Sequence, residues 1–307
     1  MLRGSIVPLV TPFRDGRVDE PALAALIEWQ IASGSHGISV TGSTGEPTAL
    51  SLAERERVIA LAVETARGRV PVVAGTGSAN AEETLHLTRF ARRVGADAAL
   101  VVTPYYARPS QEGLYRYFRS LAEATDLPII LYNIPGRTAT TLEPETTARL
   151  ARDCPTIVGI KESSKDLEHI CRVMHRCGPS FAVYSGIELL CFPILALGGA
   201  GYVSATGNVL PREVARLYDL VAAGQWEQAR QLHYHLLPMN DVLFIETNPV
   251  PVKTALGLMG RISPDVRPPL APLAPAHEAR LRQVMASYGL LPEGVGVPVD
   301  VPAAGGA

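Results

Sequence analysis

A chain of 307 residues with 47% hydrophobic content can bury a large core, and a closed α/β barrel of about 250 residues is within its reach. Its net charge of −2, with 28 basic and 30 acidic residues interspersed, argues against a nucleic-acid groove or a polybasic membrane surface. No apolar run approaches the roughly 20 residues of a membrane span, and the four cysteines, Cys154, Cys171, Cys177 and Cys191, lack zinc-type CxxC spacing. The start, Met1-Leu2-Arg3-Gly4, leads into a short run containing Pro8 and not into a signal peptide's apolar core, so a reduced, cytoplasmic protein is expected.

In chain order, short apolar strands alternate with amphipathic helices. Strands are predicted at 5–10, 37–40, 71–74, 98–102, 128–132, 157–161, 181–185 and 201–204. The helix predicted over 52–67 carries Val58, Leu61 and Ala62 at helical spacing behind a Ser51…Glu54 capping box. Another, over 111–124, sets Leu114, Tyr117, Phe118 and Leu121 on one face. Eight strands, each followed by a helix, fit a closed parallel barrel better than an open doubly wound sheet. The expected fold is a (β/α)8 TIM barrel over residues 1–223 with a C-terminal helical domain over 224–290. That extension reads as helices at 225–237, 250–259 and 276–288, with proline-rich 263–275 as an extended connector. The stretch 291–307, rich in Gly, Pro, Val and Ala, reads as a flexible tail.

In such a barrel the chemistry sits at the carboxyl ends of the strands. The sixth strand, Ile157-Val158-Gly159-Ile160, ends in Lys161, one of only three lysines beside 25 arginines. Desolvation there favours the neutral amine, a nucleophile for carbonyl carbon, which a guanidinium cannot be. The plainer alternatives are a lysine that snorkels to solvent or pairs with Glu162. The second strand is followed by Gly42-Ser43-Thr44-Gly45-Glu46, a tight turn with two hydroxyls, and the fourth by Thr103-Pro104-Tyr105-Tyr106. The fifth ends in Tyr132 ahead of Asn133-Ile134-Pro135-Gly136-Arg137, the seventh in Ser185-Gly186, and the eighth in Val203-Ser204. One amine, several hydroxyls, one arginine and no metal-ligand cluster suit imine formation with a small keto acid. The lysine attacks the ketone, a phenol shuttles protons, and small donors plus a guanidinium hold carboxylates. No cofactor and no metal is expected, because the substrate itself becomes the covalent imine. Taken singly, Tyr132 could be a core tyrosine and Arg137 a loop cap. A phosphate site after the last two strands is disfavoured, since 198–207 holds no lysine or arginine.

The segments GSTGEPTAL, AGTGSAN, VVTPYYARPSQEGLYRYF, LYNIPGRT, GIKESS, LGGAGYVSATGN and ETNPVPVK run in order over residues 1 to about 260. Together the chain resembles the dihydrodipicolinate synthase/N-acetylneuraminate lyase family of pyruvate-dependent class I lyases. The resemblance implies a homotetramer built from two tight dimers, with pyruvate and a small aldehyde as partners. It makes Lys161 the Schiff-base residue and Tyr132 the proton shuttle. Ser43 and Tyr106 would complete the hydroxyl relay, Tyr106 from across the tight-dimer interface. Thr44 would hold the pyruvate carboxylate, Arg137 the carboxylate of the second substrate, and Gly186 and Val203 would line the pocket.

Two departures stand out. Synthases of the family usually carry two threonines where this chain has Ser43-Thr44, and Ile187 stands where they commonly carry an aspartate. Arg137 within IPGRT matches the synthases. The leading implied activity is condensation of pyruvate with aspartate 4-semialdehyde to 4-hydroxy-tetrahydrodipicolinate. The alternatives are a catabolic 2-keto-4-hydroxy-acid aldolase or hydratase, such as a 2,4-dihydroxyhept-2-ene-1,7-dioate aldolase, and a non-catalytic keto-acid-binding barrel. At the positions where lysine-inhibited members bind lysine, this chain reads Pro47, Thr48, Leu52, Arg55, Ala79, Glu83 and Tyr105. Only Glu83 and Tyr105 keep the family's residues; Glu83 is left able to pair an ammonium group, but a lysine-insensitive enzyme is expected.

Overall fold

The computed structural model describes residues 2–291. Eight parallel strands close a barrel in sequence order, β8 returning to β1. They are β1 Gly4–Pro8, β2 Gly37–Val40, β3 Val72–Gly75, β4 Ala98–Val102, β5 Ile129–Asn133, β6 Ile157–Glu162, β7 Ala182–Ser185 and β8 Gly201–Val203. Every predicted strand is present: those at 37–40 and 98–102 keep both predicted bounds, and the other six have one or both ends shifted by one or two residues. The first stops at Pro8, although Leu9 and Val10 remain buried, and the Val10 N–H is taken by Asn208 Oδ1. A hairpin of Phe13–Arg14 with Arg17–Val18 was not predicted: two-residue strands are too short to show a period. Its only signal is Asp15-Gly16, both at positive φ as a two-residue hairpin turn requires.

Side chains alternate between two layers. Ile6, Val73, Leu100, Ile130, Tyr132, Tyr184 and Val203 fill the barrel, while Val7, Val40, Ala74, Val101, Leu131, Ile160 and Val183 face the helices. β6 breaks this alternation once. Ile129 pairs with Ile157 but Ile130 with Gly159, so Val158 is an extra residue in the ladder. Without that bulge Lys161 would share the outward phase of Ile157. With it, Ile160 faces out and Lys161 comes into register with inward Tyr132. Gly159 makes the bulge possible, since a β-carbon there would lie 2.4 Å from the Ala182 carbonyl oxygen.

Beyond the barrel, helices Trp226–Val242, Val250–Leu258 and Pro275–Ser287 share a second apolar core with Pro211–Ala222, including Leu217, Leu236, Met239, Val252, Leu256 and Leu281. The first of them runs past the predicted end at 237 because Pro238 lies inside the helix and does not stop it. The stretch read as a flexible tail lies, apart from Leu291, outside the described residues. The proline-rich connector is held by Arg267. Its guanidinium donates to both oxygens of Glu54 and to the carbonyls of Ala49 and Gly16. Glu54 also closes the predicted capping box with Ser51.

The hydrogen bond from Arg267 holds the Glu54 carboxyl down at about 2, below its ordinary 4.5. A carboxyl whose folded value is depressed contributes stability fully above 4.5, and that contribution disappears as the pH falls toward 2. Urea unfolding across this window should show a shallower loss of stability in Glu54→Gln than in the parent. Equal pH slopes would remove the pair from the acid response.

Candidate active site

Lys161 ends the inward face of β6 with 6% exposure, and its Nζ lies 4.2 Å from the centre of the Tyr132 ring. Neither plainer alternative applies. The amine is too buried to snorkel, and Glu162, next in the strand, faces the other way. Its two carboxylate oxygens both accept from Asn133 Nδ2 (2.9 and 3.1 Å), and one also accepts from the Ser164 N–H (3.0 Å). His169 Nε2 sits 3.2 Å from the same carboxylate, which raises the histidine above its ordinary value. Gly186 stands against the lysine stem. A β-carbon there would come within 2.7 Å of Lys161 Cε and 2.0 Å of Ser163 Oγ, so only glycine leaves the lysine its place.

At the carboxyl ends of the strands opens a cavity of about 560 Å³. Ser43, Tyr132 and Arg137 line it; Lys161 is not on its wall, its amine lying against the ring of Tyr132, which is 4% exposed. Thr44, Gly186 and Val203 do not reach its wall. Thr44 is buried behind it, its hydroxyl accepting from Asn248 Nδ2 at 3.0 Å, and Val203 packs in the barrel interior with Tyr132. Tyr106 is not brought to this cavity: it is 95% exposed at φ 72°, while Tyr105 lines the wall instead. A second recess, about 740 Å³ at the amino ends of the strands, includes Asp97, Arg152 and Arg176 and none of the predicted residues.

Three features went unread in the sequence. Glu46, in left-handed backbone at φ 53°, meets Lys253 Nζ at 2.6 Å, the two side chains 2% and 0% exposed. Burial pushes the Lys253 ammonium below the ordinary lysine value, against the pull of Glu46, and its Nζ lies 4.0 Å from the centre of the Phe13 ring. The second Glu46 oxygen accepts the Arg267 N–H. Asn248 also bonds Arg137, whose guanidinium donates to its carbonyl at 3.0 Å. Finally, Glu83 is not available to an ammonium group as expected. Arg55, 3% exposed, donates to it at 2.8 Å and to the carbonyls of Gly75 and Gly77, and Ser78 Oγ donates to its other oxygen. The scarcity of lysine was the one local signal, and it pointed to Lys253 as much as to Lys161.

Among the described residues no group of three or more His, Cys, Asp or Glu side chains could hold a metal ion, and no helix is long and apolar enough to cross a membrane.

A family model described as the dihydrodipicolinate synthetase family matches residues 1–287. The 4-hydroxy-tetrahydrodipicolinate synthase of Thermus thermophilus is 50% identical over 294 residues, 95% of this chain and 98% of that protein. Among solved structures, dihydrodipicolinate synthase from Aquifex aeolicus superposes with a TM-score of 0.93 at 45% identity, covering 95% of this chain and all 100% of that one. The chloride-inhibited dihydrodipicolinate synthase of Acinetobacter baumannii, complexed with pyruvate, gives 0.92 at 40% identity, covering 95% of this chain and 100% of that one.

Removing one partner of the buried pair leaves an uncompensated charge. Lys253→Met should therefore cost about 3–5 kcal/mol of unfolding free energy in urea titrations. Adding Glu46→Gln should recover most of it. A double variant no more stable than the single one would show that the lysine acts through packing alone.

Proposed function

This chain belongs to the dihydrodipicolinate synthetase family, and on that premise we propose that it condenses pyruvate with aspartate 4-semialdehyde to 4-hydroxy-tetrahydrodipicolinate through an imine on Lys161. The observation that carries the reading is the buried Lys161 amine against the Tyr132 ring at the carboxyl end of β6.

The neutral amine attacks the ketone carbon of pyruvate, and Tyr132 supplies the proton with which the carbinolamine oxygen leaves as water. Loss of a proton from the methyl carbon gives the enamine, which forms the new C–C bond to the aldehyde carbon, and the aldehyde oxygen takes up a proton. The amino group of the second substrate then displaces Lys161, closing the ring and freeing the enzyme, so one water is lost overall. Thr44 and its loop hold the pyruvate carboxylate, and Arg137, at the cavity wall, holds the carboxylate of the aldehyde. Gly186 and Val203 shape the lysine's surroundings. The covalent imine serves in place of a cofactor.

The outward Tyr106 fits a relay completed between chains: its hydroxyl would enter a neighbour's cavity beside that chain's Ser43 and Tyr132. On this reading the working form is a cytoplasmic homotetramer of two tight dimers. Ile187, half-buried next to Gly186, offers no carboxylate to an amino-bearing aldehyde and favours, as a second reading, an aldolase acting on a 2-keto-4-hydroxy acid. Turnover with pyruvate and a panel of aldehydes separates the two.

Borohydride reduction in the presence of pyruvate should leave a covalent adduct visible by mass spectrometry, absent in Lys161→Ala. Tyr132→Phe should form it slowly and lose roughly 10²–10⁴-fold in kcat, the usual weight of a general acid–base. A parent without adduct, or an adduct surviving in Lys161→Ala, would defeat the assignment.

The Arg55–Glu83 pair leads to a further expectation. Free lysine would have to displace a buried guanidinium from its carboxylate and two carbonyls. Calorimetric titration with lysine should be silent and the steady-state rate unchanged. Saturable binding with inhibition would overturn this.

A further inference from the structure

Asn248 lies in the short connection between helices Trp226–Val242 and Val250–Leu258 and is 7% exposed. It touches both groups assigned above to carboxylates. Its Nδ2 donates to Thr44 Oγ1 at 3.0 Å, and its main-chain carbonyl accepts from Arg137 at 3.0 Å. Its Oδ1 is buried without a hydrogen-bond partner among the described residues. A hydroxyl has one proton and two lone pairs. With an amide N–H already on a lone pair, the Thr44 hydroxyl keeps its proton for another acceptor. Thr44 is itself 4% exposed, so few orientations are open to it.

We propose that Asn248 is a positioning residue that aims the Thr44 proton at the keto acid's carboxylate and holds Arg137 for the second acid. One residue of the C-terminal segment thereby sets the spacing between the two carboxylate-binding groups. The inference rests on the reading in which Thr44 meets pyruvate and Arg137 the aldehyde's carboxylate. The two halves of the task use different atoms: the side chain serves Thr44, the main chain Arg137. Side-chain substitution therefore separates them.

In Asn248→Ala the carbonyl remains and the amide is lost. The KM for pyruvate should rise about 3–10-fold, the weight of one hydrogen bond, while the KM for the aldehyde stays within about twofold. Thr44→Val should act in the same direction, and the double variant should be no worse than the poorer single one, because both remove the same contact. Asn248→Asp, nearly isosteric, turns the donor into an acceptor and adds a negative charge. It should raise the pyruvate KM further than alanine does, and it serves where the alanine variant does not fold. At saturating pyruvate, borohydride trapping should still label Lys161 completely in each variant. An unchanged pyruvate KM in both Asn248 variants, additive effects in the double variant, or parallel rises in both KM values would overturn the inference. A parent that forms no pyruvate adduct would defeat instead the reading on which it rests.

Discussion

Two opposite charges withdrawn from water, Glu46 on the loop after β2 and Lys253 on a C-terminal helix, are the constraint around which the site is arranged. Taking both ions into the interior costs several kcal/mol per ion, and their mutual attraction repays this only in good geometry with the remaining donors and acceptors occupied. Here one carboxylate oxygen has the ammonium and the other the Arg267 N–H, while the Phe13 ring lies beside the ammonium. Such a pair adds little net stability, but it is exacting about position. The loop carrying Ser43 and Thr44 can take up its left-handed turn at Glu46 only where the C-terminal helix presents its lysine. The appended helices are therefore part of the site. Asn248, five residues before Lys253 in the chain, reaches Thr44 and Arg137 from the same side.

On the opposite wall, a change of phase in one strand does comparable work. Strict alternation from Ile157 would turn Lys161 outward among the helices. The extra residue at Val158 reverses the parity, and the glycine after it allows β7 to approach closely enough for the ladder to continue. Neighbouring residues then have opposite environments. Lys161 enters the barrel against a tyrosine ring, and Glu162 enters a polar cluster with Asn133, Ser164 and His169 outside it. That cluster ties β6 to β5 and to the helix that follows, which fixes the strand end carrying the lysine.

The strands and the placement of Lys161 were legible because their signals are local: short β-branched runs, and a cation at the end of one. Tyr132, Ser43 and Arg137 were legible as strand-end residues for the same reason. What escaped the sequence lacks a local pattern. Glu46 and Lys253 are far apart in the chain, and nothing in either neighbourhood announces the other. Arg55 sits on a helix as an ordinary polar residue, yet it turns inward because two carbonyls and Glu83 await it there. The helix predicted to end at 237 instead runs on through Pro238 to Val242. Gly186 was read as a wall of the pocket, whereas its contribution is the missing β-carbon behind the lysine.

The charged side chains around the cavity are paired, with one exception. Glu46 is neutralised by Lys253, Glu83 by Arg55, and Arg267 by Glu54. Among the charged side chains lining the cavity, and within the described residues, that leaves Arg137, whose one hydrogen bond goes to a carbonyl and not to a carboxylate. Arg137 is an exposed side chain, so its charge is screened by solvent and acts at short range, on a group close to the cavity wall. A carboxylate entering this space meets a cation that no internal acid has quenched. The other charges are matched in pairs, of which Arg55–Glu83 joins two barrel helices while Glu46–Lys253 and Glu54–Arg267 join the barrel to the C-terminal segment.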